Sequence, residues 1–201
     1  MTAPDTTAQI PGITVTRPHR ADARRNFDAL LSAARDAFNR HGIDVPLEDI
    51  ARQAGVGIGT LYRNFPTRSE LVEAVYVSEI EELLQAARDA MEREPWDALE
   101  TWLRRFSGYV ATKLAMLQGL NKDSEMFRVC RAAMFEAASP LFQRAQAAGD
   151  VRTDTNLDDV LRLVSGVTAA HYESEEQRER VLVLALDAIR TTPAARSNVA
   201  V

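Results

Sequence analysis

Residues Leu47–Phe65 read LEDIARQAGVGIGTLYRNF and contain two short segments with helical periodicity on either side of a glycine turn. Apolar residues recur every three or four positions in both segments: Leu47, Ile50, Ala51 and Ala54 before the turn, and Leu61, Tyr62 and Phe65 after it. Gly55 can take the positive φ that such a turn requires, because it has no Cβ. The pattern predicts a helix-turn-helix whose second helix lies in the major groove of DNA.

A more specific pattern overlaps the end of this stretch, where residues 59–71 read GTLYRNFPTRSEL. This run resembles the hallmark of the TetR family of transcriptional regulators, which reads roughly G-T-L/I-Y-x-x-F-x-S/T-K-x-x-L. Arg68 stands where the family more often has Lys, and Pro46 stands where a Ser or Thr often caps the second helix. The resemblance covers about residues 22–75. The alternative interpretation is a helical hairpin that belongs only to a core.

Helical periodicity continues through the rest of the chain, without strand-like alternation and without an internal repeat. We therefore predict an all-α fold that begins with a three-helix helix-turn-helix DNA-binding domain. The resemblance implies that the C-terminal part is a helical domain for ligand binding and dimerisation. The predicted helices are 21–41, 47–54, 58–65, 67–93, 95–120, 124–138, 140–148, 157–170 and 174–191.

The sequence predicts that the chain consists of four parts. We expect a disordered N-terminal arm over residues 1–20, where Pro and Thr are frequent, and a disordered tail over 193–201. The helix-turn-helix DNA-binding domain is predicted at 21–68. The helical effector-binding and dimerisation domain is predicted at 69–192.

Local signals predict where individual helices begin and end. Thr67 and Glu70 have the spacing of a capping box, which starts a long helix that is expected to end near Arg93 with Met91 turned inward. Pro140 lies inside the run 124–148 and is expected to split or kink it, because proline lacks a backbone N–H.

Charge is distributed unevenly along a chain whose formal net charge is −5. Between Arg17 and Ser69 there are nine Arg and six acidic residues, whereas the remainder to Val201 has fifteen basic and twenty-two acidic residues. A basic head on an acidic body is typical of a protein that contacts phosphates at one end. Chance alone can produce a difference of this size, so the charge supports the motif and does not replace it.

The composition favours a cytoplasmic globular protein. Hydrophobic residues make up 46% of the 201 residues and charged residues 26%, and no apolar run approaches the roughly 20 residues that span a bilayer. The N-terminus lacks the basic and apolar regions of a secretory signal. A single cysteine, Cys130, excludes an intramolecular disulfide.

The sequence contains no pattern of an enzyme active site. It lacks HExxH, CxxC, GxSxG, a P-loop and GxGxxG, and its three histidines are scattered along the chain. Cys130 lies on an apolar helical face and is interpreted as a core residue rather than a nucleophile. We expect no enzymatic activity, no cofactor and no metal.

Polar groups on the second helix of the motif are the predicted DNA contacts. Arg63 and Asn64 are long enough to read base edges, while Gly57 and Gly59 let the backbone come close. The resemblance implies that Thr60, Tyr62 and Arg68 contact phosphates. A basic arm that leads into the first helix adds further phosphate or minor-groove contacts, or is only a solvated tail. The complete predicted set is Arg24, Arg25, Leu47, Gly57, Gly59, Thr60, Tyr62, Arg63, Asn64 and Arg68.

Two such helix-turn-helix domains on successive major grooves require a two-fold dimer on a palindromic operator. The last two predicted helices are the expected interface, packed with their mates as a four-helix bundle. Its candidate residues are Leu161, Val164, Val167, Leu182, Ala185, Leu186 and Ile189. An intramolecular core is the alternative for each of them.

The resemblance also implies an effector pocket in the C-terminal domain. Large, adaptable side chains are frequent there, and the candidates are Tyr76, Trp102, Phe106, Tyr109, Met126, Cys130 and Met134. Ordinary packing is the alternative for each residue. If a mainly apolar small molecule binds among them, we expect it to act through the long helix that begins near Thr67, which joins the head to the body.

The sequence therefore predicts a DNA-binding transcriptional regulator, a repressor that a small apolar ligand releases from its operator. One alternative keeps DNA binding without a small-molecule inducer. Another is a helical interaction module or enzyme with a head that no longer functions.

Overall fold

The computed structural model describes Ile10, Ile13 and residues 17–121 and 123–191, and these residues form eight α-helices. They are α1 (Ala21–His41), α2 (Leu47–Gln53), α3 (Ile58–Asn64), α4 (Arg68–Ala90), α5 (Pro95–Met116), α6 (Glu125–Ala147), α7 (Leu157–Ala169) and α8 (Glu175–Ile189). Within the described residues the only extended pairing is an isolated bridge between Val151 and Arg190. The predicted all-α class is confirmed. The predicted tail at 193–201 lies outside the described residues.

The chain divides into two compact units, which we describe separately. The first unit consists of Met1–Glu82 with Ala111–Ala132, and the second of Leu83–Val110 with Ala133–Val201. Helices α4, α5 and α6 contribute residues to both units. The predicted boundary at residue 68 therefore lies inside the first unit, which combines the helix-turn-helix with the beginning of α4.

The core of the first unit is built around α1. All five predicted core residues of this helix are buried: Phe27, Leu30, Leu31, Ala34 and Phe38. Leu61 and Phe65 are buried as well, and the rings of Phe27 and Phe65 have centroids 5.0 Å apart. Burial of each large apolar side chain contributes about 1.5–3 kcal/mol, so these contacts fix the end of α3 beside α1.

Helix α4 begins with the predicted capping box. The Glu70 amide donates to Thr67 Oγ1 at 3.2 Å, and the Thr67 amide donates to Glu70 Oε2 at 2.8 Å. Each side chain thus satisfies a backbone donor that the first turn leaves without a partner. The sequence prediction for this boundary is confirmed.

The predicted split of α6 at Pro140 is wrong, since Glu125–Ala147 is one helix with Pro140 inside it. Proline removes one backbone hydrogen bond and crowds the preceding turn, at a cost of about 3 kcal/mol. Ala138, Leu141 and Phe142 are buried on both sides of it. Their burial offsets the cost, so packing keeps the helix continuous.

Two helices end three or more residues earlier than predicted. Helix α4 ends at Ala90 instead of Arg93, and Met91 is 42% exposed instead of turned inward. Arg144 explains this end, because its guanidinium donates to the carbonyls of Met91 at 2.9 Å and Arg93 at 3.1 Å. Helix α5 ends at Met116 instead of residue 120, in a turn that the Gly119 amide closes on the Met116 carbonyl.

Part of the segment predicted as a disordered arm contacts the first unit. Ile10 is 1% exposed, and the Ile13 amide donates to its carbonyl. Arg17 forms ion pairs with Glu81 at 2.9 Å and with Asp28 at 3.4 Å. The other residues before Arg17 lie outside the described residues.

We expect Ile10→Ala to reduce the free energy of unfolding by about 2–4 kcal/mol, because it empties a fully buried site. Ile13 is only half-buried, so Ile13→Ala should cost less than half as much. Urea unfolding at one fixed protein concentration measures both values. Equal stability of wild type and Ile10→Ala would contradict the burial of Ile10.

Candidate nucleic-acid interface

A glycine turn joins α2 to α3. Gly55 has φ +69°, and the Gly55 and Val56 amides donate to the carbonyls of Arg52 and Ala51. This is the Schellman arrangement, in which a left-handed residue after a helix lets the next amides satisfy its last carbonyls. The predicted role of Gly55 is confirmed, and the turn sets the direction in which α3 leaves α2.

Helix α3 has one buried side and one exposed side. Leu61 within the helix and Phe65 after it are buried. Gly57, Gly59, Tyr62 and Arg63 are exposed, while Thr60 and Asn64 are half-buried. Tyr62 keeps 46% of its surface accessible although it is aromatic. The polar side predicted to meet DNA is therefore open in the single chain.

The polar side chains of α3 bond to the helix itself. Arg63 donates from Nε to the Gly59 carbonyl at 3.2 Å and from Nη2 to Thr60 Oγ1 at 3.1 Å. Asn64 Nδ2 donates to the Thr60 carbonyl at 2.8 Å. These contacts hold Arg63 along the exposed side of α3. The two bonds from the Arg63 guanidinium are charge-assisted and the Asn64 bond is neutral. Because Arg63 is exposed, bonds to a base edge can replace its bonds to the helix.

Arg68 holds the turn before α2. Its Nη1 donates to the Ile43 carbonyl at 2.5 Å and to the Val45 carbonyl at 2.6 Å. Pro46 occupies the N-cap of α2, and no side chain caps that helix. The guanidinium thus stabilises the entry to α2 where the family often has a capping hydroxyl. The predicted phosphate contact of Arg68 stays a prediction beside this structural role.

The remaining predicted DNA contacts differ in exposure. Leu47 is buried, so only its backbone is available to a phosphate. Arg24 is half-buried, and Arg25 is exposed and forms an ion pair with Asp22 one turn earlier. Their DNA contacts stay predictions.

An ion-pair cluster between α1 and α4 could not be read from the sequence. Arg35 Nη1 lies 2.8 Å from Glu79 Oε1 and 3.0 Å from Glu82 Oε1, and the Glu79 carboxylate is buried. Burial alone would lower the pKa of the Arg35 guanidinium, but the hydrogen bond and charge of Glu79, with the charge of Glu82, outweigh it and raise it. The cluster holds a charged guanidinium between the two helices.

The next acid on α4, Glu81, has a pKa that burial shifts more than its ion pair does. Burial raises the pKa of Glu81, and the charge of Arg17 offsets this effect only in part. Glu81 also faces the buried thiol of Cys130, whose pKa is raised to about 12 by burial and by that carboxylate. A thiol with this pKa is not a nucleophile at neutral pH, which agrees with its interpretation as a core residue.

The predicted effector-pocket residues occupy both units. In the first unit Tyr76 and Cys130 are buried and Met126 is half-buried. The ring of Tyr76 stacks on Phe127 with centroids 5.3 Å apart, and the Lys113 ammonium lies 4.9 Å from the centre of the Phe127 ring. Lys113 was not among the residues predicted for this pocket.

In the second unit Trp102, Phe106, Tyr109 and Met134 are all buried. Trp102 stacks on Phe106 at 5.6 Å between centroids, and Phe106 contacts Tyr109 at 5.8 Å. Trp102 Nε1 donates to the Leu83 carbonyl at 3.0 Å, which fixes the indole. Ligand binding by either group stays a prediction.

The predicted dimer residues are mostly buried within one chain. Leu161, Val164, Leu182, Ala185, Leu186 and Ile189 are buried, and Val167 is half-buried. These residues pack within the second unit, and their contact with a second copy stays a prediction. The exposed apolar side chains of α7 and α8 are instead Leu163, Val183 and Leu184.

Other kinds of site find no support in the described part of the chain. No group of three or more His, Cys, Asp or Glu residues there could hold a metal ion. Each helix that the structure describes is also too short or too polar to cross a bilayer.

Comparison with known proteins finds a matching family model for the N-terminal part and another for the C-terminal part of the chain. The family model for bacterial regulatory proteins of the tetR family matches residues 30–75, and the model for the SbtR-like transcriptional regulator C-terminal domain matches residues 94–191. The structure of the TetR transcriptional regulator SCO0520 from Streptomyces coelicolor is 38% identical, with a TM-score of 0.72, over 82% of this chain and 98% of that one. The chain belongs to the TetR family.

Two further transcriptional regulators extend this result. The TetR transcription regulatory protein from Mycobacterium vanbaalenii is 32% identical, with a TM-score of 0.69, over 87% of this chain and all of that one. The HTH-type transcriptional regulator SAR0097 of Staphylococcus aureus is 27% identical over 78% of this chain and 84% of its own length. This TetR-family protein is a DNA-binding transcriptional regulator, and α3 is its candidate recognition helix.

If Arg63 reads a base, Arg63→Ala should weaken specific binding by about 1–3 kcal/mol and relax discrimination at one position of the site. Arg63→Lys is the matched control, because it keeps the charge but loses the bidentate fork. Fluorescence anisotropy with a selected duplex and with single-base variants measures both effects. Full discrimination by Arg63→Ala would exclude base reading.

Arg68→Ala should behave differently and lower affinity for all duplexes. If Arg68 also contacts a phosphate, the slope of log affinity against log salt concentration falls by about 1. An unchanged slope together with reduced thermal stability would show that Arg68 acts only through its contacts with Ile43 and Val45, and not through a phosphate.

Proposed function

We propose that this TetR-family regulator is a homodimeric repressor that binds a palindromic operator and releases it when a mainly apolar small molecule binds. The observation that carries the proposal is the exposed polar side of α3, anchored from behind by Leu61 and Phe65. A single seven-residue helix contacts too few bases for useful specificity. Two heads on successive major grooves, about 34 Å apart, double the contacts and require a symmetric site.

An exposed apolar surface on α7 and α8 supports the dimer. Leu184 is 66% exposed, and Leu163 and Val183 are also accessible in the single chain. Exposed apolar groups that gather on one pair of helices are typical of an interface. Under this proposal a second copy covers Leu163 and Leu184, and the buried residues beside them support the two helices from within.

The ligand part of the proposal is supported by the aromatic groups in each unit. Tyr76 and Phe127 stack in the first unit, and Trp102, Phe106 and Tyr109 are in contact in the second. Aromatic side chains combine large apolar area with few rotatable bonds, which suits an apolar effector. A ligand that couples to DNA binding by about 1–3 kcal/mol changes operator affinity 5- to 150-fold.

Selection of duplexes from a random pool by the purified protein tests the proposed DNA binding. The recovered sites should be palindromes with half-site centres about 10 base pairs apart. Enrichment of a single half-site would contradict the dimer. A selected pool with no enriched sequence would contradict operator recognition by α3.

A ligand screen tests the release. A compound present at 100 times its Kd should raise the free energy of unfolding by about 2.7 kcal/mol and should also dissociate the selected duplex. Compounds that stabilise the protein without changing duplex binding would contradict induction.

We expect Leu184→Glu to shift the protein towards the monomer and to weaken operator binding at low protein concentration, because it places a charge in the proposed interface. Leu114→Glu is the matched control, since Leu114 is another exposed leucine, on α5. Sedimentation velocity should separate the two variants. A dimer that persists in Leu184→Glu would contradict this surface as the interface.

A further inference from the structure

Within the first unit, the end of α5 contacts the helix-turn-helix at two points. Asn39 Nδ2 on α1 donates to Thr112 Oγ1 on α5 at 3.1 Å, and Thr112 is buried. Seven residues later, Gly119 reaches the turn between α1 and α2. We name residues 117–120 the post-α5 turn and residues 43–45 the entry turn, because the latter leads directly into α2.

Gly119 is in very close contact with two side chains. A methyl group in place of its hydrogen would lie 3.2 Å from Cγ1 of Val72 and 3.3 Å from Cδ1 of Ile43. These distances are shorter than ordinary van der Waals contact. The positive-φ glycines of the described residues are Gly42, Gly55 and Gly149, so the requirement at 119 is for space and not for a left-handed backbone.

The entry turn is held from its backbone as well. Arg68, the first residue of α4, donates to the carbonyls of Ile43 and Val45. Gly119 therefore contacts the side chain of Ile43 while Arg68 holds its carbonyl. Two residues after Val45, α2 begins at Leu47, and the Schellman turn at Gly55 then directs α3.

We propose that Gly119 is a positioning residue for operator binding, because the close packing of the post-α5 turn on Ile43 sets the position of α2 and hence of α3. The inference rests on the proposed operator binding. It adds a second connection to the helix-turn-helix, which passes through the post-α5 turn and not through α4 alone. Protein interiors are packed as densely as organic crystals, so a shift of a few tenths of an ångström at Ile43 is not absorbed locally. The shift is passed to α2, because α2 begins two residues after the entry turn. Arg68 also couples the entry turn to the start of α4.

The same geometry gives the post-α5 turn a regulatory role. Residues 111–132 belong to the first unit together with the helix-turn-helix. They include Phe127, which stacks on Tyr76, and Lys113, whose ammonium lies over the Phe127 ring. A ligand that displaces these side chains moves chain segments on both sides of Gly119. Such a movement reaches the recognition helix through Ile43 without any direct contact between ligand and head.

The test compares Gly119→Ala with wild type on a selected duplex and on an unrelated duplex, by fluorescence anisotropy well below the melting temperature of either protein. We expect about tenfold weaker binding to the selected duplex and unchanged binding to the unrelated one. Gly108→Ala is the matched control on α5, because a methyl group there meets only Arg105 Nη1 at 3.6 Å. It should leave both affinities unchanged.

A second substitution makes the test specific for the Gly119–Ile43 contact. Ile43→Val removes Cδ1 and should raise the operator affinity of Gly119→Ala by at least about twofold, which is a measurable coupling between neighbours. The contact of the added methyl with Val72 remains, so the recovery is partial. A lower melting temperature with unchanged operator affinity would show that Gly119 only packs, and would overturn the inference. Failure of Ile43→Val to raise the affinity of Gly119→Ala would overturn it too. If the wild type itself prefers no duplex, the proposed function fails together with the inference.

Discussion

The burial of Leu61 and Phe65 is the constraint on which the rest of the structure depends. Because these two side chains are withdrawn from solvent, and Phe65 lies against Phe27, α3 can present only its other side to solvent. That side carries Thr60, Arg63 and the glycines that let a backbone approach DNA. A seven-residue helix has little stability of its own, since isolated helices shorter than about 12–15 residues are marginal in water. Its orientation therefore comes from packing, and its function follows from which residues the packing leaves exposed.

Several charged residues around this core hold the backbone and neighbouring helices in place. Arg68 lies in the run 59–71 that resembles the TetR hallmark, yet its guanidinium donates to two carbonyls of the entry turn. Pro46 removes the side-chain cap of α2, and the arginine stabilises the same turn from α4. Arg35 and Arg17 similarly tie α1 and the preceding segment to acids of α4. Basic residues of the first unit therefore stabilise the positions of its helices.

Local patterns were predictable from the sequence because their causes lie within a few residues. The bounds of α1, the capping box of Thr67 and Glu70, and the positive φ of Gly55 all follow from spacing and residue type. Contacts between distant residues were not predictable, such as the pair of Arg35 and Glu79, which are 44 positions apart. The continuous α6 through Pro140 and the exposed Met91 depend on tertiary packing and on Arg144, which no local pattern contains.

In the proposed function, the open side of α3 enters a major groove twice, once from each protomer. Hydroxyl-radical footprinting of a bound duplex measures this most directly. Two protected patches are expected on one face of the duplex, centred about 34 Å apart. Protection spread evenly along the duplex, or a single patch at saturating protein, would contradict this arrangement.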